Sequence, residues 1–272
     1  MRKDRAASQE LCLDPDGGLP RLLEIMARLR DRDTGCPWDI EQTCATIAPY
    51  TIEEAYEVAD AIARGDMGAL EGELGDLLLQ VVYFSQMGAE DGHFTFDSVV
   101  NGVADKMVAR HPHIFDDENR DKSAHQQTAD WEKLKAAERA ANGPSRTLDG
   151  VASGLPGMTR AVKLQKRAAR VGFDWPEIGE VLDKIAEEAR ELAAEDDPAR
   201  QAEEFGDLMF GMANLARWLK IDPEEALRTA NARFTRRFEH IEDALAAAGR
   251  TPAESDLVEM EALWNAAKRA GK

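Results

Sequence analysis

Along the second half of the chain, Phe205, Leu208, Met212, Leu215 and Leu219 recur at steps of three and four, the period of one buried helix face. Glu204 and Asp207 stand beside that apolar stripe rather than inside it, so the pattern predicts an amphipathic helix with an acidic start. In the first half, the run Leu77-Leu78-Leu79-Gln80-Val81-Val82-Tyr83-Phe84 is ambiguous, because a short apolar run with β-branched and aromatic residues also fits a buried strand. Its counterpart from Leu208 to Leu219 is rich in Met, Ala and Leu, which favours helix. The expected fold class is all-α. Breaks in the pattern mark the boundaries. Residues 1–18 carry charges and Gly17-Gly18 without sustained periodicity and are expected to form a mobile tail, while Asn142-Gly143-Pro144 through Gly157 mark a linker.

The acidic positions occur twice, about 130 residues apart, in the same order. The first copy places Glu53, Glu54 and Glu57 ahead of Glu73 and Asp76; the second places Glu187, Glu188 and Glu191 ahead of Glu204 and Asp207. The repetition extends to other residues. Gly35-Cys36-Pro37-Trp38 matches Gly172-Phe173-Asp174-Trp175, Lys106 and Arg110 match Arg233 and Arg237, and Trp131 with Lys135 matches Trp264 with Lys268. An internal duplication therefore organises the chain as a tail (1–18), a first repeat (19–135), a linker (136–157) and a second repeat (158–272). Two copies imply tandem domains rather than a solenoid.

The 272 residues leave room for two domains that each bury a core. No apolar stretch reaches the length of a membrane span, and the start, Met1-Arg2-Lys3-Asp4, lacks the apolar core of a signal peptide. Cys12, Cys36 and Cys44 form an odd set without metal-ligand spacing, which fits reduced thiols and a cytoplasmic location. A formal net charge of -18 argues against nucleic acid as the main partner, since a polyphosphate backbone calls for a broad cationic surface. An anionic small molecule remains compatible if metal ions and a few local cations screen the carboxylates.

On a helix, Glu187, Glu188 and Glu191 fall within an arc of about 100°, and Glu204 and Asp207 lie about 60° apart on theirs. If the two helices pack antiparallel, the acids converge. Crowded carboxylates repel and raise one another's pKa unless a divalent cation binds between them, and Mg²⁺ suits oxygen ligands that also take substrate phosphate. The plain alternative is a solvated acidic face in a chain with 52 acidic residues; duplication with matching basic positions favours the metal site. Arg233 and Arg237 share a helix face and can grip phosphate oxygens, and Lys184 lies one turn before Glu188. Each also fits an ordinary partner for nearby acids. Trp131 and Trp264 fit packing at least as well as stacking on a base. The stripe Lys163, Lys166, Arg167 and Arg170 reads as a solvated face or an inter-subunit contact. His111-Pro112-His113 reads as a structured turn rather than as metal ligands.

Taken together, Gly35-Cys36-Pro37-Trp38-Asp39, the Glu53-Glu54-x-x-Glu57 motif, Glu73-Leu74-Gly75-Asp76, Arg110-His111-Pro112-His113-Ile114-Phe115 and the series from Glu187 to Arg237 resemble the MazG-type nucleoside triphosphate pyrophosphohydrolases, over about residues 19–272. The resemblance implies two tandem helical-bundle repeats, each four-helix core completed by dimerisation, and Mg²⁺-dependent cleavage of a broad range of nucleoside triphosphates, ATP among them, to monophosphate and pyrophosphate. It implies Glu188, Glu191, Glu204 and Asp207 as metal ligands with Glu187 in support, and Lys184, Arg233, Arg237 and Trp264 around the nucleotide. In the first repeat it implies Glu54, Glu57, Glu73 and Asp76 as metal ligands. Tyr50 stands where the second repeat has Lys184, so the second repeat is expected to carry most of the activity. Competing expectations are a non-catalytic nucleotide-binding or dimerisation module, and a relative restricted to dUTP, dCTP or phosphoribosyl-ATP.

Overall fold

The computed structural model describes residues 4–116, 123, 126–127, 130–131 and 146–271. Lys135 and residues 136–145 of the expected linker lie outside the described residues. The chain divides into two compact units, Met1–Ala136 and Ala137–Lys272. All regular structure among the described residues is helical, and the ambiguous Leu77–Phe84 run lies within a helix.

The first unit contains α1 (Arg5–Leu13), α2 (Gly18–Leu29), a short α3 (Pro37–Glu41), α4 (Cys44–Arg64), α5 (Met67–Glu90), α6 (Phe96–Arg110) and α7 (Pro112–Phe115). Thr43 opens α4 through a reciprocal cap with Thr46, and Gly65 closes it in the left-handed conformation at φ 68°. Asp66 then caps α5 by accepting from the Ala69 N–H. So short a connection forces α4 and α5 into an antiparallel hairpin. Met26 of α2, Ile47 of α4, and Val82, Tyr83 and Met87 of α5 are buried together as its core.

The tail expectation is corrected at Arg5–Leu13, which is helical and packs on α2. Two side chains tether it: Arg21 donates to the Cys12 carbonyl at 3.0 Å, and Arg28 bonds Gln9. Both bonds are made across turns by polar residues, which a search for apolar periodicity does not register. His111-Pro112-His113 forms the expected turn, with His111 Nδ1 2.7 Å from the Met107 carbonyl and its ring beside Trp131.

The second unit contains α8 (Gly157–Ala169), α9 (Ile178–Ala194), α10 (Pro198–Leu219), α11 (Pro223–Ala247), a 3-10 turn (Pro252–Glu254) and α12 (Leu257–Arg269). Here α9 and α10 form the hairpin, with Asp197 capping α10 by accepting from Ala199 N–H. The stripe expected to form one buried face of α10 is corrected at Phe205, Met212 and Leu219, which are exposed at successive seven-residue steps beside the acids. Leu74 and Val81 occupy the matching face of α5 and are also exposed.

The shared glycine of the two Gly-x-x-Trp motifs serves different needs. At Gly35 a Cβ would meet the Leu29 carbonyl oxygen at 2.4 Å and that of Asp31 at 2.6 Å, so only glycine fits. At Gly172 there is open space, but φ is +85°, a conformation that L side chains rarely adopt.

Candidate active site

In each hairpin, acids that lie about two turns from the connection on either helix meet at one level. One carboxylate oxygen from each of Glu188, Glu191 and Glu204 lies within 4.8 Å of the others, and Glu54, Glu57 and Glu73 form the same arrangement in the first unit. The hairpin thus brings together the acids that the motif spacing singled out. Asp76 and Asp207 stand just outside each trio, close enough for their charge to act on Glu54, Glu73 and Glu204.

Lost solvation raises the pKa of Glu54, and the neighbouring charges of Asp76, Glu57 and Glu73 push it further in the same direction. Glu73 is raised by lost solvation and by Glu57 and Asp76, and Glu204 by lost solvation and by Glu191, Glu188 and Asp207. These acids face one another rather than solvent alone, and oxygen-only donors gathered this closely fit a single hard divalent cation.

The two clusters differ in their cations. Lys184 bonds Glu188 at 2.8 Å and Glu187 at 2.9 Å, and these bonds raise its pKa. Glu188 is buried at 7% exposure, so Lys184 fixes the one acid of the trio that solvent barely reaches. Glu187 points to Lys184 rather than into the trio, in keeping with a supporting part. The first unit has exposed Tyr50 at the matching position.

A cavity of about 660 Å³ opens beside the second cluster, lined by Glu188, Asp207 and Lys184 at one end and by Gln165, Asn214 and Arg217 elsewhere. Arg217 pairs with Asp174 and donates to Asn214 Oδ1 at 2.7 Å. Trp175 also lines this space, and Phe173 beside it is 82% exposed. In the first unit Tyr83 takes the place of Asn214, seven residues after the motif aspartate. It is buried in the core at 4% exposure and donates from its hydroxyl to Asp39 at 3.0 Å. Burial and the bonded Asp39 push its pKa up to about 12 against the opposing effect of Arg30. Neither cavity described in the first unit includes Glu54, Glu57, Glu73 or Asp76.

The remaining expected phosphate and base groups gather elsewhere. Arg237 lies over the Trp264 ring at 5.4 Å, and Phe234 packs on the same ring at 5.3 Å. Arg233 is exposed on α11, which packs on α8 and α12. Within the second unit, none of Arg233, Arg237 and Trp264 lines the cavity beside the acids. Lys106 is likewise exposed on α6. Of the stripe on α8, Lys163, Lys166 and Arg170 are exposed, while Arg167 bonds the Gly150 carbonyl. Gln165, Asn214 and Arg217 gave no sequence signal, since their roles depend on two helices and a loop meeting. Asp174 alone was visible, as a member of the repeated Gly-x-x-Trp motif.

Comparison with known proteins adds a family. The model of the MazG nucleotide pyrophosphohydrolase domain matches residues 42–115. The nucleoside triphosphate pyrophosphohydrolase of Escherichia coli K12 is 49% identical over 256 residues, covering 92% of this chain and 97% of that protein. A nucleoside triphosphate pyrophosphohydrolase/pyrophosphatase MazG from Thermotoga maritima is 38% identical over 247 residues, covering 91% and 94%. The Bacillus subtilis protein YabN is 43% identical over 238 residues, which make up 86% of this chain but 48% of that one.

Proposed function

The chain belongs to the MazG nucleotide pyrophosphohydrolase family, and from that premise we propose that its second acidic cluster, holding Mg²⁺, cleaves a broad range of nucleoside triphosphates to monophosphate and pyrophosphate. Hydrolysis of a phosphoric anhydride is the activity named for its near full-length relatives. The observation that carries the finer reading is the union of the Glu188, Glu191 and Glu204 trio with a cavity large enough for a nucleoside.

Glu188, Glu191, Glu204 and Asp207 would hold the cation, which when bound offsets phosphate charge and acidifies water. Lys184 holds Glu188 in place and keeps a donor near the phosphates. A cluster glutamate accepts the proton as water attacks phosphorus at the α/β linkage. The bond to the bridging oxygen breaks, and pyrophosphate leaves with that oxygen. No covalent enzyme intermediate is needed.

Arg233, Arg237 and Trp264 act on the nucleotide from a second copy of the chain in a homodimer. The exposed apolar stripes of α5 and α10 support this, because faces of that kind on acidic hairpins are suited to burial against another copy. The first cluster, without a cation at the place of Lys184, contributes to assembly more than to turnover. The described helices include none long and apolar enough to cross a membrane, and we place the enzyme in the cytoplasm.

Anion-exchange separation of products from ATP, dGTP and dUTP, with Mg²⁺ and with EDTA, tests the reading. Monophosphate plus pyrophosphate with Mg²⁺ alone is expected. Diphosphate plus phosphate would overturn the bond assignment.

A further inference from the structure

We propose that Arg217 is a positioning residue for the reaction: through Asp174 it holds Trp175 in place as a wall of the cavity beside the second acidic cluster. The proposal rests on the nucleotide reading above and adds to it a residue that acts at a distance. Arg217 lies ten residues beyond Asp207 on α10, about 15 Å along the axis, well away from the carboxylates.

The bonds of Arg217 lead to the loop. Nη1 donates to Asp174 Oδ2 at 2.9 Å and Nη2 donates to Asp174 Oδ1, a two-pronged pair. Nε and Nη2 donate to Asn214 Oδ1 at 3.2 and 2.7 Å. Four of the five guanidinium N–H groups are thereby engaged within the protein, and the side chain is 11% exposed. A group so occupied and so enclosed is a brace rather than a phosphate ligand.

Asp174 passes the restraint on. Its Oδ1 also accepts from the Trp175 N–H at 2.9 Å, so one carboxylate joins α10 to the backbone of the loop between α8 and α9. On the near side of that loop the Phe173 N–H bonds the Ala168 carbonyl at 3.1 Å, which ties it to the end of α8. Gly172, Phe173, Asp174 and Trp175 all line the cavity. The position of the loop therefore sets the width of that space.

The first repeat supplies an independent observation. Asp174 corresponds to Pro37, Asn214 to Tyr83 and Arg217 to Gln86, which donates to Glu90 at 2.9 Å instead. All three members of the brace are missing together from the unit whose described cavities exclude its acids. A brace for a cavity wall has no use where the matching position, Tyr83, is packed into core.

Two readouts on the full chain test this, one of them independent of turnover. In the first, Asp174→Asn and Arg217→Gln are each expected to raise KM for ATP about tenfold with kcat held within about twofold, and the double variant to add less than about twofold more. Arg217→Lys keeps the charge but not the fork, and should fall between, at about threefold. Inhibition by inorganic tripolyphosphate should stay unchanged, because the brace does not touch the phosphates. In the second, the protein carries 5-fluorotryptophan and the Trp175 signal, assigned with Trp175→Phe, is followed by fluorine NMR during titration with AMP. That signal is expected to shift saturably in the wild type, and about tenfold more AMP should be needed in either single variant, with the Trp38 signal of the first unit marking an intact fold. Unchanged KM and AMP affinity in both single variants, a loss in kcat rather than KM, or multiplicative effects in the double variant overturns the brace. Loss of tripolyphosphate inhibition in step with KM overturns it also, by making Arg217 a phosphate ligand. Absence of ATP turnover with the AMP response and its weakening intact sinks the hydrolase reading alone; turnover with a Trp175 signal indifferent to AMP sinks the brace alone.

Discussion

The two repeats hold their carboxylates alike and differ in what stands behind them. In the second, Arg217, Asp174 and Asn214 form a polar knot along an open cavity. In the first, the knot is made by Arg30, Tyr83, Asp39 and Glu90 and is packed shut. Arg30 donates to Glu90 at 2.7 Å and to the Asp39 carbonyl at 2.5 Å, and lies over the Tyr83 ring at 5.5 Å. A bulky phenol in place of a carboxamide thus turns a pocket wall into core. The acidic hairpin and the cavity beside it are separable parts, since the first unit has the carboxylate trio while neither cavity described there includes its acids.

The sharpest way to break this comparison is to disable each cluster in turn. Glu188→Gln/Glu191→Gln is expected to reduce kcat/KM by about a hundredfold or more, because several kcal/mol of charge stabilisation depends on that cation. Glu54→Gln/Glu57→Gln is expected to change it less than about twofold. Steady-state kinetics of both variants decides, and the opposite ranking would transfer catalysis to the first repeat.

A smaller effect is expected at the residue that distinguishes the clusters. Lys184→Met removes the partner of buried Glu188 and the cation proposed to face the phosphates, and should lower kcat/KM by about tenfold to a hundredfold. Tyr50→Lys alone should not raise turnover, since neither cavity described in the first unit includes its acids; a gain of activity in Tyr50→Lys combined with Glu188→Gln/Glu191→Gln would show that the missing cation was its sole defect.

Mg²⁺ should raise the melting temperature of the wild type, with stabilisation near 3 kcal/mol expected at about a hundred times Kd. Calorimetric scans of the two double variants then divide that gain between the units. Most of it should disappear with Glu188→Gln/Glu191→Gln, where Lys184 orients the ligand set.

The closed knot yields the smallest effect. Burial raises the Glu90 pKa, but hydrogen bonds from Arg30 and Gln86 outweigh it and hold the acid below the usual carboxylate range. A carboxylate depressed in the folded state adds stability above its unfolded pKa, and that contribution is lost as pH falls through the folded value. Glu90→Gln should therefore cost about 1–2 kcal/mol at neutral pH, and the difference should close on acidification. Urea titrations at pH 7 and pH 3 measure it.

The helical class and the gathering of three acids in each hairpin were legible because helix period is a local signal and the repeat marks the same spacing twice. Leu77–Phe84 was harder, since β-branched residues blur the period of a helix that tertiary packing then fixes. Gln165 and Asn214 were invisible because a carboxamide is unremarkable until its neighbours are known. Arg233, Arg237 and Trp264 were legible as chemistry but not as geometry. Their helices join α8 and one another rather than the acidic pair, a packing that residue spacing along the chain does not state.

Gly35 and Gly172 share a letter for unrelated causes, close carbonyl oxygens at one and positive φ at the other. A recombination event that moved residues 31–38 into the place of 168–175 would preserve the Gly and Trp of the motif, and still deliver a loop built for the wrong backbone path. The two halves have passed beyond interchange, and each loop is now heritable only with the helices that it joins.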